Sequence, residues 1–238
     1  MPRVAETAAI VAAGVWYALR PASESPALST PIAARHADSR KHLADVHSLI
    51  VYNGELIVGG RFDTAINGEV TADGAVRETG RVLTDHVARW DGHSWGAFGN
   101  TEATLGPFVV QESTLFAAGL FVDQLSDLLQ GAPCVARWDM AGWEPLGGEH
   151  FRGFPPLVAA LAVYKDELIA AGAFWLPGET AAADVVAWNG SDWQPLGTGA
   201  DAIVYSLAVY NDRLVAGGNF ETLDGRTMHG IAQWNGSP

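Results

Sequence analysis

The chain has one cysteine in 238 residues, so it can form no internal disulfide. Nor does any Cys–His cluster show zinc-ligand spacing. Cys134 falls in a repeated strand pattern, which makes it a structural thiol rather than a nucleophile. Lysine occurs only at positions 41 and 165, and charged residues make up 17% of the chain against 48% hydrophobic, which excludes a disordered polar chain. Positive charge is scarce: 14 Lys and Arg face 27 Asp and Glu, a formal net charge of −13. That balance repels phosphate backbones and argues against sequence-independent binding of nucleic acid. It leaves metal cations, basic partners and neutral ligands such as sugars open.

Long apolar runs are also missing. "AAIVAAGVWYAL", residues 8–19, is too short to span a bilayer, so no transmembrane anchor is expected. It reads either as a strand or as a signal-peptide core, for which Glu6 and the lone Arg3 make a poor leading region. The stretch after it, residues 20–35, is a Pro/Ser-rich linker. The chain divides into an N-terminal segment (1–22), a linker (23–45) and a repeat region (46–238).

Glycine and tryptophan, in contrast, are abundant, at 27 and 9 residues. "YNGELIVGGRF" at residues 52–62 returns as "YNDRLVAGGNF" at 210–220, with weaker copies ending at Phe121 and Phe174. Four copies follow, about 46–105, 106–153, 154–200 and 201–238. In each, a glycine such as Gly60 stands two residues before a phenylalanine: Phe62, Phe121, Phe174 or Phe220. Trp90, Trp138, Trp188 and Trp234 close the next apolar stretch, spaced 48, 50 and 46 apart, and Trp95, Trp143 and Trp193 follow five residues later.

Each copy reads as four short strands. Asn53-Gly54 is a two-residue hairpin turn, because both positions favour positive φ. Asp91-Gly92 and Asn189-Gly190 read as hairpin turns as well, which accounts for the Asn-Gly-Ser sequences at Asn189 and Asn235 better than glycosylation does. An antiparallel four-stranded unit of this length, repeated, is the pattern of an all-β propeller. The expected fold is a small propeller of four blades, with five blades or a partial ring as the alternative. The glycine pairs let crowded backbones approach, and the Phe and Trp anchors fill the wedges between blades. The fourth copy lacks an outer strand. "GVWYALRP", residues 14–21, aligns Trp16, Ala18 and Leu19 with Trp193, Pro195 and Leu196, so residues 14–20 are expected to close the last blade.

The strand, Gly pair and spaced aromatics resemble the kelch and galactose-oxidase-like propeller repeats, in particular bacterial repeats of the "GELIAGGNF…ARWDG…W.PLG" type. The resemblance covers roughly residues 46–236. It implies a propeller architecture and an extracellular or periplasmic setting. It brings no catalytic residues: no His–Tyr cluster surrounds Cys134 to make a copper site, and no Ser-x-Asp-x-Gly-x-x-Trp box of the sialidase propellers occurs.

Function in such a fold sits in loops. The gap from Phe to Trp is 28, 17, 14 and 14 residues in the four copies, so the first carries the longest loop. That loop, residues 63–86, holds Asp63, Asn67, Glu69 and Asp73 among its oxygen donors. A Ca²⁺ site would suit them, but EF-hand spacing is absent and "VTADGAVRE" reads as a hairpin extension. No cofactor and no metal is assigned. Trp175 lies outside the repeated Trp positions, where it would stack on a sugar ring or cover a blade edge. Asp224, Arg226 and His229 share the last loop, and His229 with Asp224 would make a proton-transfer pair. Two readings follow. One is a non-catalytic propeller binding a protein or glycan partner through loops on one face. The other is a carbohydrate-active hydrolase or lyase using loop carboxylates at a central channel.

Overall fold

The computed structural model describes residues 9–12, 15–18, 33–35, 45–70, 76–99, 104–120, 135–147, 151–176 and 184–234. The described residues are all-β, without a helix, and therefore without a helix long and apolar enough to cross a membrane. Four antiparallel sheets follow one another along the chain. Sheet 1 comprises Asp45–Tyr52, Glu55–Arg61, Val87–Trp90 and Trp95–Ala97. Sheet 2 comprises Thr104–Gln111, Thr114–Leu120, Val135–Trp138 and Trp143–Pro145. Sheet 3 comprises Arg152–Tyr164, Glu167–Trp175, Val185–Trp188 and Trp193–Pro195. Sheet 4 has three strands among the described residues: Val204–Tyr210, Arg213–Gly218 and Ile231–Trp234. In each of these four sheets, strands neighbour in chain order; the first two are joined by a two-residue turn, the second and third by a longer segment.

Those turns follow the chemistry read from sequence. Asn53 and Gly54 have φ of 50° and 81°, and Asn211 and Asp212 have 49° and 57°. Both central residues thus adopt the left-handed conformation that matches strand twist. The second turn of the first three copies is built differently from expectation. Asp91 does not supply a positive φ; its Oδ1 accepts from the amides of His93 (2.7 Å) and Ser94 (2.8 Å). Asp139 does the same for Ala141 and Gly142, and Asn189 for Ser191 and Asp192. A side-chain oxygen holds the turn by satisfying backbone donors that would otherwise be orphaned.

The two spaced tryptophans are cross-strand partners rather than separate wedges. Trp90 lies opposite Trp95, Trp138 opposite Trp143 and Trp188 opposite Trp193, with ring centroids 5.3, 5.4 and 5.3 Å apart. Phe62, Phe174 and Phe220 are fully buried, as anchors should be. Phe121 lies outside the described residues.

The glycine pair answers two crowdings: a Cβ on Gly59 would come within 2.5 Å of Phe108 and 2.6 Å of the Leu105 carbonyl oxygen of the next sheet, and the second glycine faces its own sheet. A Cβ on Gly60 would stand 2.1 Å from the Asp45 carbonyl oxygen, one on Gly119 2.2 Å from that of Thr104, one on Gly172 1.9 Å from that of Leu157, and one on Gly218 2.3 Å from that of Ile203. Each obstacle lies in the first strand of the same sheet or, for Ile203, just before it, at a bulge that recurs in all four copies. The second glycine of each pair is therefore obligatory, whereas the first is alanine in two copies.

The sheets stack in series. The forward face of each of the first three packs on the rear face of the next. Tyr52, Ile57 and Val87 of sheet 1 meet Phe108, Leu115 and Ala117 of sheet 2. Ala118 and Val135 of sheet 2 meet Leu161, Leu168 and Ala170 of sheet 3. Ile169, Ala171 and Val185 of sheet 3 meet Leu207, Leu214 and Ala216 of sheet 4.

Residues 14–20 were expected to complete sheet 4. Val15–Ala18 is a strand, but it pairs with Ala9–Ala12 as a separate hairpin. A two-residue connection brings these partners together with far less loop entropy than pairing with Ile231–Trp234 across the whole chain.

Candidate functional site

The long first loop is a hairpin. Thr64–Val70 pairs with Val76–Leu83, and Ala33–Arg35 adds a third strand. Asp73 lies outside the described residues. Thr64, Ala65 and Ile66 are buried, and Ala65 packs with Val58, Ala88 and Trp95 on the rear face of sheet 1. The Oδ1 of Asn67 accepts from the Trp95 amide at 2.7 Å. Asp63 sits at the hairpin entrance, half-buried, its carbonyl accepting from the Thr84 amide. Glu69 stands opposite Arg77 in register. The geometry of this loop is thus that of a packed extension. Among the described residues no group of three or more His, Cys, Asp or Glu is placed to hold a metal ion.

The last loop does not bring His229 to Asp224. The Nδ1 of His229 lies 2.9 Å from Glu221 Oε2, both side chains being exposed. Asp224, at the tip of a small hairpin, accepts through Oδ1 from the Thr198 amide (3.1 Å) and hydroxyl (3.2 Å). It ties the tail of sheet 3 to the loop of sheet 4. Arg226 is exposed on the same hairpin, and Asp201 accepts from the amides of Glu221 and Thr222. Trp175 ends the second strand of sheet 3, partly exposed, opposite Arg152. The candidate residues therefore occupy three separate loops and do not converge on a single site.

One carboxyl stands apart. Asp184 is only 2% exposed, and its Oδ1 accepts from the Phe174 amide at 3.4 Å. Its Oδ2 is buried without a hydrogen-bond partner. Burial, with Asp201 adding repulsion, pushes its pKa up to about 6. Conversely, backbone amides hold Asp91, Asp139 and Asp201 below the usual carboxylate range.

A shallow depression of about 280 Å³ opens between the outer halves of sheets 1 and 2. Trp138, Phe98 and Tyr52 supply aromatic surface, Met140 an exposed thioether, and Glu55 and Arg89 a polar rim. The Arg89 guanidinium donates to both Glu55 oxygens at 3.2 and 3.3 Å. Phe98 and Trp138 are in contact, centroids 4.5 Å apart. Gly99, at φ +73°, lets them close, since a Cβ there would come within 2.6 Å of the Trp138 ring. From sequence, Trp138 reads only as a repeat anchor. The available signal was Arg89 and Arg137, charged residues between the alanine and tryptophan of an otherwise apolar strand.

No family model and no curated protein matches the chain. Among solved structures, the computationally designed Ika4 protein aligns over 82% of this chain and 93% of its own, at 14% identity and a TM-score of 0.41. The designed Ika8 protein aligns over 93% and 71%, at 13% identity and 0.39. YjhT aligns over 93% and 91%, at 13% identity and 0.32.

Proposed function

We propose that the four sheets are consecutive blades of a β-propeller of the kelch-like type, and that the protein is a non-catalytic module binding a protein or glycan partner. What supports this reading is how the loop carboxylates are used. Asp91, Asp139, Asp201 and Asp224 accept from backbone amides and hold turns. Asp91, Asp139 and Asp201, held low by such bonds, are poor proton donors or bases near neutrality. Asp184 has the raised pKa of a general acid, but it is enclosed and its bonds run to backbone.

The depression between sheets 1 and 2 is the seat for the partner. A sugar ring or an apolar side chain would lie on Trp138 and Met140 while Glu55 and Arg89 meet its polar edge. A glycan and peptide array would identify ligands, and titration of tryptophan fluorescence would measure them. Arg89→Ala and Met140→Asp, both at exposed positions, are expected to weaken binding at least ~10-fold, the loss of one or two good contacts. Ligands whose affinity neither variant changes would contradict this seat. Release of reducing ends from a bound glycan would contradict the non-catalytic reading.

A further inference from the structure

The stacking of the sheets follows a rule that the fourth sheet leaves unfinished. At each internal junction, the side chain just before the first hairpin turn reaches the second turn residue of the next copy. Tyr52 donates through its hydroxyl to the Ser113 carbonyl at 3.2 Å. Gln111 donates through Nε2 to the Asp166 carbonyl at 2.6 Å. Tyr164 donates through its hydroxyl to the Asp212 carbonyl at 3.3 Å. The fourth member of this series is Tyr210. Tyr52 and Tyr164 are 6% and 4% exposed, whereas Tyr210 is 70% exposed. The third strand repeats the contrast: Val87, Val135 and Val185 are 0%, 0% and 5% exposed, and their counterpart Ile231 is 65% exposed. Sheet 4 thus presents a forward face whose three counterparts are each buried under a rear face.

The complementary surface is the rear face of sheet 1. Val51 on it is exposed, and Leu49 and Leu56 are only half-buried, whereas Leu115, Leu168 and Leu214, the counterparts of Leu56, are buried. The hairpin from Thr64 covers part of that face, where Ala65 packs with Val58, Ala88 and Trp95, and leaves the inner part, at Leu49, Val51 and Leu56, partly open. Both surfaces are apolar, and among the described residues both are at least partly open: Tyr210 and Ile231 on one side, Leu49, Val51 and Leu56 on the other.

We propose that the forward face of sheet 4 docks on the rear face of sheet 1 of a second copy of this chain, with Tyr210 donating to the Gly54 carbonyl of that copy. The contact is head-to-tail, and two copies related by a two-fold axis close a ring through two identical junctions. It goes beyond the binding reading and does not depend on the depression, which lies at a different junction.

The test uses two single-cysteine variants of the 238-residue chain in a Cys134→Ser background, Tyr210→Cys and Asn53→Cys, mixed under mild oxidation. A disulfide-linked heterodimer is expected, in at least ~10-fold excess over a mixture of Tyr210→Cys with Met140→Cys, whose position lies away from both faces; proximity of the paired positions makes the difference. Three results would overturn the proposal. One is no excess over that control. Another is Tyr210→Cys linking to itself as readily as to Asn53→Cys, which indicates a face-to-face pair. The third is a Tyr210→Cys/Asn53→Cys double variant that links within one chain while the mixture does not. Near-UV circular dichroism matching the parent protein shows that each variant is folded.

Discussion

Gly217 and Gly218 stand side by side, and only one of them is irreplaceable. A Cβ on Gly217 meets nothing closer than the Ser206 hydroxyl at 2.7 Å, the tip of a side chain that can rotate. On Gly218 it would meet the Ile203 carbonyl at 2.3 Å. We expect Gly218→Ala to destabilise by about 2–3 kcal/mol, as overpacking against backbone does, and Gly217→Ala by less than about 1 kcal/mol. Denaturant unfolding of the two variants checks this, and equal losses would contradict it. Asp184 offers a second test at this scale. Its folded pKa lies above its unfolded value, so the native state binds the proton more tightly. Stability should therefore fall as pH rises from about 4 to about 6, with the cost fully present above that window. The expected cost is up to about 3 kcal/mol, from a shift of roughly two units. Asp184→Asn should remove this slope from melting curves taken between pH 4 and 7. A variant that keeps the wild-type slope would show that another group carries it.

At the scale of elements, the insertion after Phe62 works as a cover. Its Ala65 and Asn67 occupy the outer rear face of sheet 1, the place that Leu146 of the preceding sheet takes at Trp193 of sheet 3. Removing residues 66–82 should therefore lower the melting temperature by roughly 5 °C or more, since a few kcal/mol of packing is lost. Asn67→Ala alone should cost about 1–2 kcal/mol, because it strands the Trp95 amide. A truncated protein that melts like the parent would return the loop to the list of dispensable or ligand-binding segments. Much of this scale was legible in the sequence, because turns and alternation are local. Asn53-Gly54 announces its hairpin, and "VTADGAVRE" announces strands either side of residue 73. The pairing partner of residues 15–18 was not legible. Trp16 matches Trp193 in pattern, but pattern does not choose between a nearby strand and a distant edge. The depression was equally hidden. Its residues come from separate strands of two sheets, and Trp138 carries the same label as every other anchor until Gly99 and Phe98 are placed beside it.

For the whole molecule, the repeat is a rule of stacking as much as a rule of strand pairing. Each sheet needs a neighbour on both faces, as expected of stacked repeats whose units cannot bury their apolar surfaces alone. Three junctions obey the rule within one chain. The fourth, between sheet 4 and sheet 1, is not formed among the described residues: sheet 4 exposes Tyr210 and Ile231, and sheet 1 leaves Leu49, Val51 and Leu56 partly open; the proposed second copy would cover both. The measurement that tests this most directly is the mass in solution by light scattering. With 25.2 kDa per chain, the 238-residue protein is expected at two chain masses, and Ile231→Lys, which places a charge in the centre of the forward face, at one. A wild-type protein that stays at one chain mass at every concentration, or an Ile231→Lys variant that associates as the wild type does, would contradict it.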